Sequence, residues 1–419
     1  MKKKSYWRSK VIFIIIIAAL FILIFMGFRI WYGKTAEAKA YLSEQVEYYN
    51  YIAKTELKWI ADSQLSNGAL PFRRGDRDDE VRIVPYFSCV AARALLNDSE
   101  YYHSVARYIR WHCMRINNAG EDSNGLAGTI DDYYATIRSG RVVSQSSSEH
   151  YDSVDSYAAL FLIVLWEYYE KTGDKDLLIE YESQWHSVIK ALEEMIDEDG
   201  LSFVKPDYKI KYSMDNAEVY QGLDYAVRLM EALYSGDEAK KQEQWIKELK
   251  ERHRYMGEQI EALLWNESEN RYETGIDNKG NRLDFSGWDV FYVDAVCQLM
   301  PIIFGVIKAG DERSNFLFQT FSDYYKWEEL DYLSQTTFYW GLTVYTGALM
   351  GEDEKVLSYI RYYEEHILEK GHKYPLYNGD AAWVAAGCTL MVERYGEALK
   401  EIDPLNIVKG FKSNGGAEK

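Results

Sequence analysis

The sequence has few prolines, few cysteines and no excess of positive charge. Only 6 of its 419 residues are proline, which favours long helices. The formal net charge of −18 argues against a nucleic-acid partner, because phosphate binding needs a basic surface. The 36 tyrosines and 12 tryptophans argue against a disordered chain.

The four cysteines lie far apart in the chain and form no CxxC pair, so the sequence predicts neither a zinc knuckle nor a disulfide framework. We interpret all of them as core residues: Cys89, Cys113, Cys297 and Cys388. No metal site and no cofactor are predicted.

Residues 11–28 form the longest apolar run, VIFIIIIAALFILIFMGF, which is long enough to cross the hydrocarbon layer of a bilayer. The flank 1–10 carries more basic residues than the other side, so the positive-inside rule places it in the cytoplasm. We therefore predict a basic cytoplasmic tail, a single transmembrane signal anchor and an extracytoplasmic remainder in the cell membrane. The alternative is a cleaved signal peptide, for which Ala38-Lys39-Ala40 has suitable spacing.

Beyond the anchor, six segments repeat one plan: an amphipathic helix, a polar loop, and a nearly all-apolar helix that opens with an acid or an aromatic residue. The apolar helices 157–166 and 290–306 have the composition of helices buried between neighbours. No segment predicts a strand. The aromatic markers of the six repeats are Tyr86, Tyr157, Tyr220, Tyr292, Tyr339 and Trp383.

Six alternating pairs of outer and inner helices predict an all-α fold, an (α/α)6 toroid of six helical hairpins over residues 36–405. An open solenoid of helix pairs is the structural alternative. Residues 406–419 are predicted to be a flexible tail.

The stretch HYDSVDSYAAL at residues 150–160, followed by KTGD at 171–174, resembles the six-hairpin glycosidase superfamily, and within it family 8 glycoside hydrolases. The stretches 214–223 (MDNAEVYQGL) and 288–295 (WDVFYVDA) have the same character. Where family 8 has its Glu-Gly-x-x-Tyr-Gly signature, this sequence reads RIVPYF at 82–87. The resemblance implies a toroid and glycoside hydrolysis with inversion.

Parallel inner helices would bring their first residues together at one mouth of the toroid, where carboxylates and aromatic rings would suit a sugar. Glycoside hydrolysis needs a carboxylic acid and a second carboxylate, which act as general acid and as base or nucleophile. The catalytic candidates are Asp152, Asp155, Asp215, Glu218 and Glu80. The candidates for substrate binding are Tyr86, His150, Tyr157, Tyr220, Trp288, Asp289, Tyr292, Tyr339, Trp340, Asp380 and Trp383; Asp294 and Gln335 complete the predicted mouth.

We assign the base to Asp155 and the acid to Glu218, with the reverse assignment left open. Asp152 and Asp215, three residues before each, would orient them or bind sugar. For each acid the alternative is a helix N-cap. Four arginines in one segment, Arg73, Arg74, Arg77 and Arg82, would form an anion subsite or pair with neighbouring acids.

The sequence therefore predicts a membrane-anchored glycoside hydrolase for a polysaccharide or oligosaccharide. A polysaccharide lyase using His150 with Tyr151 or Tyr157 is a second hypothesis. A third is a non-catalytic glycan-binding subunit that works with polysaccharide synthesis or export machinery.

Overall fold

A computed structural model of the chain describes residues 2–283, 287–330, 338–372 and 376–402. The predicted tail 406–419 and Gln335 lie outside the described residues. The chain forms two compact units, one of residues 1–51 and 391–419 and the other of residues 52–390.

Helices dominate the fold. They are α1 (Lys2–Ser63), α2 (Pro85–Leu95), α3 (Tyr102–Cys113), α4 (Asp155–Thr172), α5 (Lys175–Glu180), α6 (Glu182–Met195), α7 (Ser213–Leu233), α8 (Gly236–Gln259), α9 (Met300–Ile303), α10 (Glu312–Tyr324), α11 (Leu342–Met350), α12 (Asp353–Tyr363) and α13 (Asn378–Ile402). Short π-helical segments cover Ile260–Leu264, Phe291–Ala295 and Glu364–Leu368. The all-α prediction is therefore confirmed for most of the described chain.

In the unit of residues 52–390, the helices alternate as the repeat predicted. Tyr86, Tyr157 and Tyr220 lie in α2, α4 and α7, and Tyr339 lies three residues before α11. The apolar stretch of α4 is buried from Asp155 to Leu165, as expected for an inner helix. The end of α1 also contacts the start of α13, where the Asn378 amide donates a hydrogen bond to the Ser63 hydroxyl at 2.8 Å. A closed ring of hairpins requires such a contact and an open solenoid does not.

The inner helix predicted over 290–306 is not continuous. A π-helical segment at Phe291–Ala295 precedes the short helix α9, which begins next to Pro301. Proline has no amide hydrogen and its ring clashes with the preceding turn, so it interrupts a helix and is tolerated at the first positions of a new one.

The prediction of no strand is wrong. β1 (Asp79–Ile83), β2 (Tyr133–Arg138) and β3 (Arg141–Ser147) form an antiparallel sheet in that order. The short strands β4 (Lys211–Tyr212) and β7 (Gly275–Ile276) form one pair, and β5 (Trp265–Asn266) and β6 (Arg271–Tyr272) form another. In β1, Val81 and Ile83 are buried and alternate with exposed charged residues. Five residues give too short an alternation to stand out among helical periods.

The unit of residues 1–51 and 391–419 contains the predicted membrane span. The backbone of residues 11–28 belongs to α1, and the side chains of this stretch, apart from Met26, lie outside the described residues. Among the residues that were described, no helix has both the length and the apolar character that crossing a membrane requires. Near the end of this part of α1, the Tyr49 ring stacks on the Tyr395 ring, with centroids 5.9 Å apart.

Candidate active site

Four carboxylates gather where α4 and α7 begin. Asp155 is the first residue of α4 and Asp152 lies in the loop before it, while Asp215 and Glu218 lie in the first two turns of α7. Burial and the charge of Asp152 raise the pKa of Asp215 to about 7, and burial and the charge of Asp215 raise the pKa of Glu218 to about 8. These carboxyl groups therefore retain protons near neutral pH.

The close crossing of α4 and α7 explains why these acids meet. A Cβ atom at Gly222 would lie 2.8 Å from both Cα and Cβ of Ala159, so only glycine allows the two helices to approach this closely. Ala159 lies one turn after Asp155, and Gly222 lies one turn after Glu218. Asp155 and Glu218 therefore each lie one turn before the crossing point, at the same height along the two helices.

Glu218 is 1% exposed and has one satisfied and one unsatisfied oxygen. The Tyr86 hydroxyl donates a hydrogen bond to Glu218 Oε1 at 2.6 Å. Among the described residues, Oε2 forms no hydrogen bond of ordinary length and angle, and the Ser156 hydroxyl near the Glu218 carboxyl group lowers its pKa. A buried polar atom without a partner is uncommon in folded proteins and is found at catalytic sites. Burial and, second to it, the nearby Glu218 charge raise the pKa of Tyr86 well above its usual value, so this phenol stays a donor.

Asp155 is completely buried and is held from two sides. The Ser202 hydroxyl donates to Asp155 Oδ2 at 2.8 Å, and the Ser156 amide donates to Oδ1 at 2.9 Å. Asn216 fixes the backbone of Ser202 by two reciprocal hydrogen bonds of 2.8 and 3.0 Å. Burial and the charge of Asp215 raise the pKa of Asp155 well above its usual range. An enclosed carboxyl group whose two oxygens both accept hydrogen bonds does not suit the base role that the sequence assigned to Asp155.

Asp152 is exposed and stands next to a second network. The Tyr157 hydroxyl donates to Asp132 Oδ1 at 3.0 Å, and Arg82 donates to Asp132 Oδ2 through Nε at 3.2 Å and Nη2 at 2.5 Å. Burial raises the pKa of Asp132, the hydrogen bond and charge of Arg82 oppose this rise, and the charge of Asp152 adds to it. Asp152 therefore lies within electrostatic reach of both Asp215 and Asp132.

Aromatic rings form an arc whose two ends reach the carboxylates. From Tyr86 the arc passes to Phe87 at 5.1 Å, then to Phe338 at 6.1 Å and Trp340 at 5.8 Å, and it ends at Tyr292, 4.9 Å from Trp340. Tyr86 contacts Glu218 at one end. At the other, partial burial and the charge of Asp215 raise the pKa of Tyr292 to about 12. The rings are partly exposed, and such faces suit the apolar faces of sugars.

Asp380 supports this arc instead of lining the carboxylate cluster. Its Oδ2 accepts the Tyr339 amide at 3.2 Å and its Oδ1 accepts the Gly341 amide at 3.3 Å. The carboxylate thus spans the backbone on either side of Trp340, whose φ of 49° lies in the left-handed region. Burial raises the pKa of Asp380 to about 6.

Other predicted residues have partners away from the cluster. The Tyr220 ring lies 4.2 Å from the His253 ring on α8, the Trp383 ring 5.0 Å from the Tyr345 ring, and the Trp288 ring 6.0 Å from the Tyr324 ring. A residue on an inner helix faces the ring centre at only some positions of each turn, so the substrate-binding roles of Tyr220, Trp288 and Trp383 stay predictions. The remaining predicted residues are His150 and Asp289, both exposed, and Asp294, which is buried and accepts the Thr274 hydroxyl.

Glu80 is also separate from the cluster. It lies exposed on β1, opposite Thr136 of β2, and its charge is not a named cause of the raised pKa of Asp155, Asp215 or Glu218. Its catalytic role stays a prediction without support from this geometry.

Sequence reasoning missed Asp132, Ser202, Asn216 and Phe338. Asp132 had a weak signal, an acidic doublet with Asp131 immediately before β2. Ser202 and Asn216 act through hydrogen bonds across separate loops, which no local pattern reveals.

Solved glycosidases share this fold. A wild-type glycosidase superposes with a TM-score of 0.57 at 13% identity, over 84% of this chain and 98% of that chain. A glutamate-to-alanine glycosidase variant in complex with glucose gives the same values. A rhamnosidase from Klebsiella oxytoca with rhamnose bound has a TM-score of 0.51 at 10% identity, over 81% of this chain and 64% of that chain.

No protein-family model matches the sequence, and no curated protein matches it. At these low identities the structural likeness shows the fold, which is the toroid-like helical fold of glycosidases. The likeness to family 8 in particular stays a prediction.

Proposed function

We propose that the chain is a glycoside hydrolase that cleaves a polysaccharide or oligosaccharide by carboxylate acid/base catalysis. The observation that carries this proposal is the cluster at the start of α4 and α7, where two carboxyl groups hold protons near neutral pH beside the exposed Asp152. The aromatic arc from Tyr86 to Tyr292 supplies faces for sugar rings. The shared fold of solved glycosidases, one with glucose bound, supports the same conclusion.

The geometry supports different roles from those expected from sequence. Asp215 is half-buried and can meet a substrate, and its pKa of about 7 suits a proton donor. Burial and the charge of Asp215 raise the pKa of the neighbouring Glu218, so the pair of carboxyl groups retains a proton. Asp152 is open to water and is assigned the base. Asp155 is a positioning residue, because its oxygens are already engaged by Ser202 and Ser156.

Hydrolysis would begin when Asp215 gives its proton to the glycosidic oxygen as the bond to the leaving sugar breaks. Asp152 would take a proton from the water that attacks the anomeric carbon. A single displacement of this kind inverts the anomeric configuration, which is also what the resemblance to family 8 implies. The lyase hypothesis gains no support, because the Tyr157 hydroxyl already donates to Asp132, the Tyr151 hydroxyl accepts from Asn124, and the His150 side chain is exposed.

The proposal includes the location. The apolar run 11–28 and its basic flank support a single membrane anchor with residues 36–405 outside the cytoplasm. A partner in polysaccharide synthesis or export would fit this location.

The test is release of reducing ends from a panel of polysaccharides by the full-length protein in detergent. General acid or base catalysis contributes about 10²–10⁴-fold, so Asp215→Asn and Asp152→Asn should each lower kcat/KM by about that factor. Asp323→Asn, which removes an exposed carboxylate on α10, is the matched control and should keep wild-type activity. Binding of a glycan without turnover by the wild type would instead favour the non-catalytic hypothesis.

A further inference from the structure

One face of the β1–β2–β3 sheet has the chemistry of a saccharide surface. In the strand register, Arg82 lies opposite Tyr134 and Tyr134 lies opposite Ser146, so these three side chains form one row. Alternate residues of a strand point to the same face, so Glu80 and Thr136 belong to a neighbouring row on this face. Tyr134 is 42% exposed.

The opposite face of the sheet is core. Val81, Ile83, Ala135 and Ile137 are all buried, with Ile137 the most exposed at 5%. These buried side chains anchor the sheet to the core. Its outer face presents an aromatic ring, a guanidinium group and hydroxyls at the spacing that the strand register sets. Neighbouring strands are about 4.8 Å apart, so the row from Arg82 to Ser146 spans about 10 Å.

Hydrogen bonds and ring contacts connect this face to the candidate active site. Arg82 donates to Asp132, which accepts the Tyr157 hydroxyl, and the Tyr157 ring lies 6.3 Å from the Tyr86 ring. Tyr86 in turn donates to Glu218. A ligand that occupies the carboxylate cluster and extends past Tyr157 would reach Arg82 and then Tyr134.

The Arg82 side chain is both exposed and held in position by an ion pair. It is 51% exposed, while its partner Asp132 is 4% exposed. Nε and Nη2 are used by Asp132, and Nη1 has no hydrogen bond to any described residue. The guanidinium group is thus fixed in place with donors left for an oxygen of a ligand.

The charge around Arg82 selects against an acidic ligand. Asp132 already neutralises Arg82, Glu80 lies on the same face two residues away, and Asp152 lies within electrostatic reach of Asp132. Arg73, a second arginine of this segment, forms an ion pair with Asp79 at 2.8 Å. The charges next to Arg82 are therefore negative, whereas the exposed Arg138 and Arg141 lie opposite each other at the far end of β2 and β3. Negative charge next to Arg82 suits hydroxyl groups and repels carboxylates.

From this arrangement we infer that the outer face of the β1–β2–β3 sheet binds a run of uncharged sugar residues that continues from the active site. The inference rests on the proposed function for its active site and narrows the substrate to a neutral glycan chain long enough to span both places. Tyr134 supplies a stacking face, and Arg82 binds hydroxyl oxygens.

The experiment measures binding separately from cleavage. Full-length protein with the Asp215→Asn substitution is run in detergent on native gels that contain mixed-linkage β-glucan, pullulan, galactomannan or polygalacturonate. At least one neutral polymer should retard the protein more strongly than polygalacturonate does. Adding Tyr134→Ala should weaken that binding about three- to tenfold, the factor that corresponds to loss of one aromatic contact. Tyr134→Phe keeps the ring and should bind like its parent.

Tyr255→Ala is the matched control, since Tyr255 is 36% exposed and lies on α8. It should leave the retardation unchanged. Retardation by none of the neutral polymers, equal binding by Tyr134→Ala and its parent, or tighter binding of polygalacturonate would each overturn the inference. These results do not depend on turnover, so an inactive wild type would count against hydrolysis and not against the binding surface.

Discussion

At the scale of single residues, the environment of a carboxyl group decides its chemical role. Asp152 and Asp155 are three positions apart, yet one is exposed and the other is enclosed by Ser202 and its own helix. Likewise Asp215 and Glu218 share one helix opening, and their mutual repulsion keeps a proton on the pair. Acid and base roles follow from these differences in burial and not from residue type.

The raised pKa of Glu218 has a consequence for stability. Its pKa is about 8 in the folded protein against a usual value of 4.5, so the folded state binds more protons than the unfolded state between these pH values. Stability should therefore fall as pH rises from about 5 to 8. Glu218→Gln removes this ionisation, so the fall in Tm between pH 6 and pH 8 should be smaller than in the wild type.

Differential scanning fluorimetry of both proteins at pH 6 and pH 8 measures this difference. Glu397→Gln, a change at an exposed carboxylate of α13, is the control and should follow the wild type. An equal fall in Tm for wild type and Glu218→Gln would show that Glu218 ionises normally in the folded protein.

At the scale of helices and strands, the crossing of α4 and α7 positions the site. A methyl group at Gly222 would meet Ala159 at 2.8 Å, which is closer than nonbonded atoms tolerate. Gly222→Ala should force the helices apart and destabilise the protein by about 1–3 kcal/mol, with a loss of activity larger than the loss of folded protein.

Gly396→Ala is the matched control, because no atom of the described residues outside its own stretch of α13 lies within 4 Å of the added Cβ. Alanine favours helix over glycine, so this variant should be as stable as the wild type or slightly more so. Urea unfolding and kcat/KM of the two variants decide the question. If Gly222→Ala keeps full activity and stability, the close crossing of α4 and α7 is not what brings the acids together.

The sequence predicted elements better than contacts. The buried character of α4 and the acids at the openings of α4 and α7 follow from periodicity and helix-start signals, and the structure agrees. The β1–β2–β3 sheet was missed because Asp79–Ile83 is short and charged. The partners of Tyr86 and Asp155 could not be predicted, since Glu218 and Ser202 lie 132 and 47 residues away in sequence.

At the scale of the whole molecule, the basic tail and the apolar run should decide where the protein works. We expect the full-length chain to remain with membranes after carbonate extraction and a variant lacking residues 2–30 to be released. Protease added to intact cells should digest residues 36–405, provided that the cells have no outer membrane or wall that excludes the protease. Release of the full-length chain by carbonate, or protection from the protease, would contradict the predicted anchor or its orientation.

The central claim is that carboxyl groups at the start of α4 and α7 donate and accept the protons of glycoside cleavage. The pH dependence of kcat/KM for the full-length wild type tests it most directly, because this parameter reports the ionisation of the free enzyme. The proton donor loses its proton as pH passes its pKa, so activity should fall above about pH 7, in line with Asp215 and Glu218. Activity that stays constant from pH 6 to pH 9 would contradict the account.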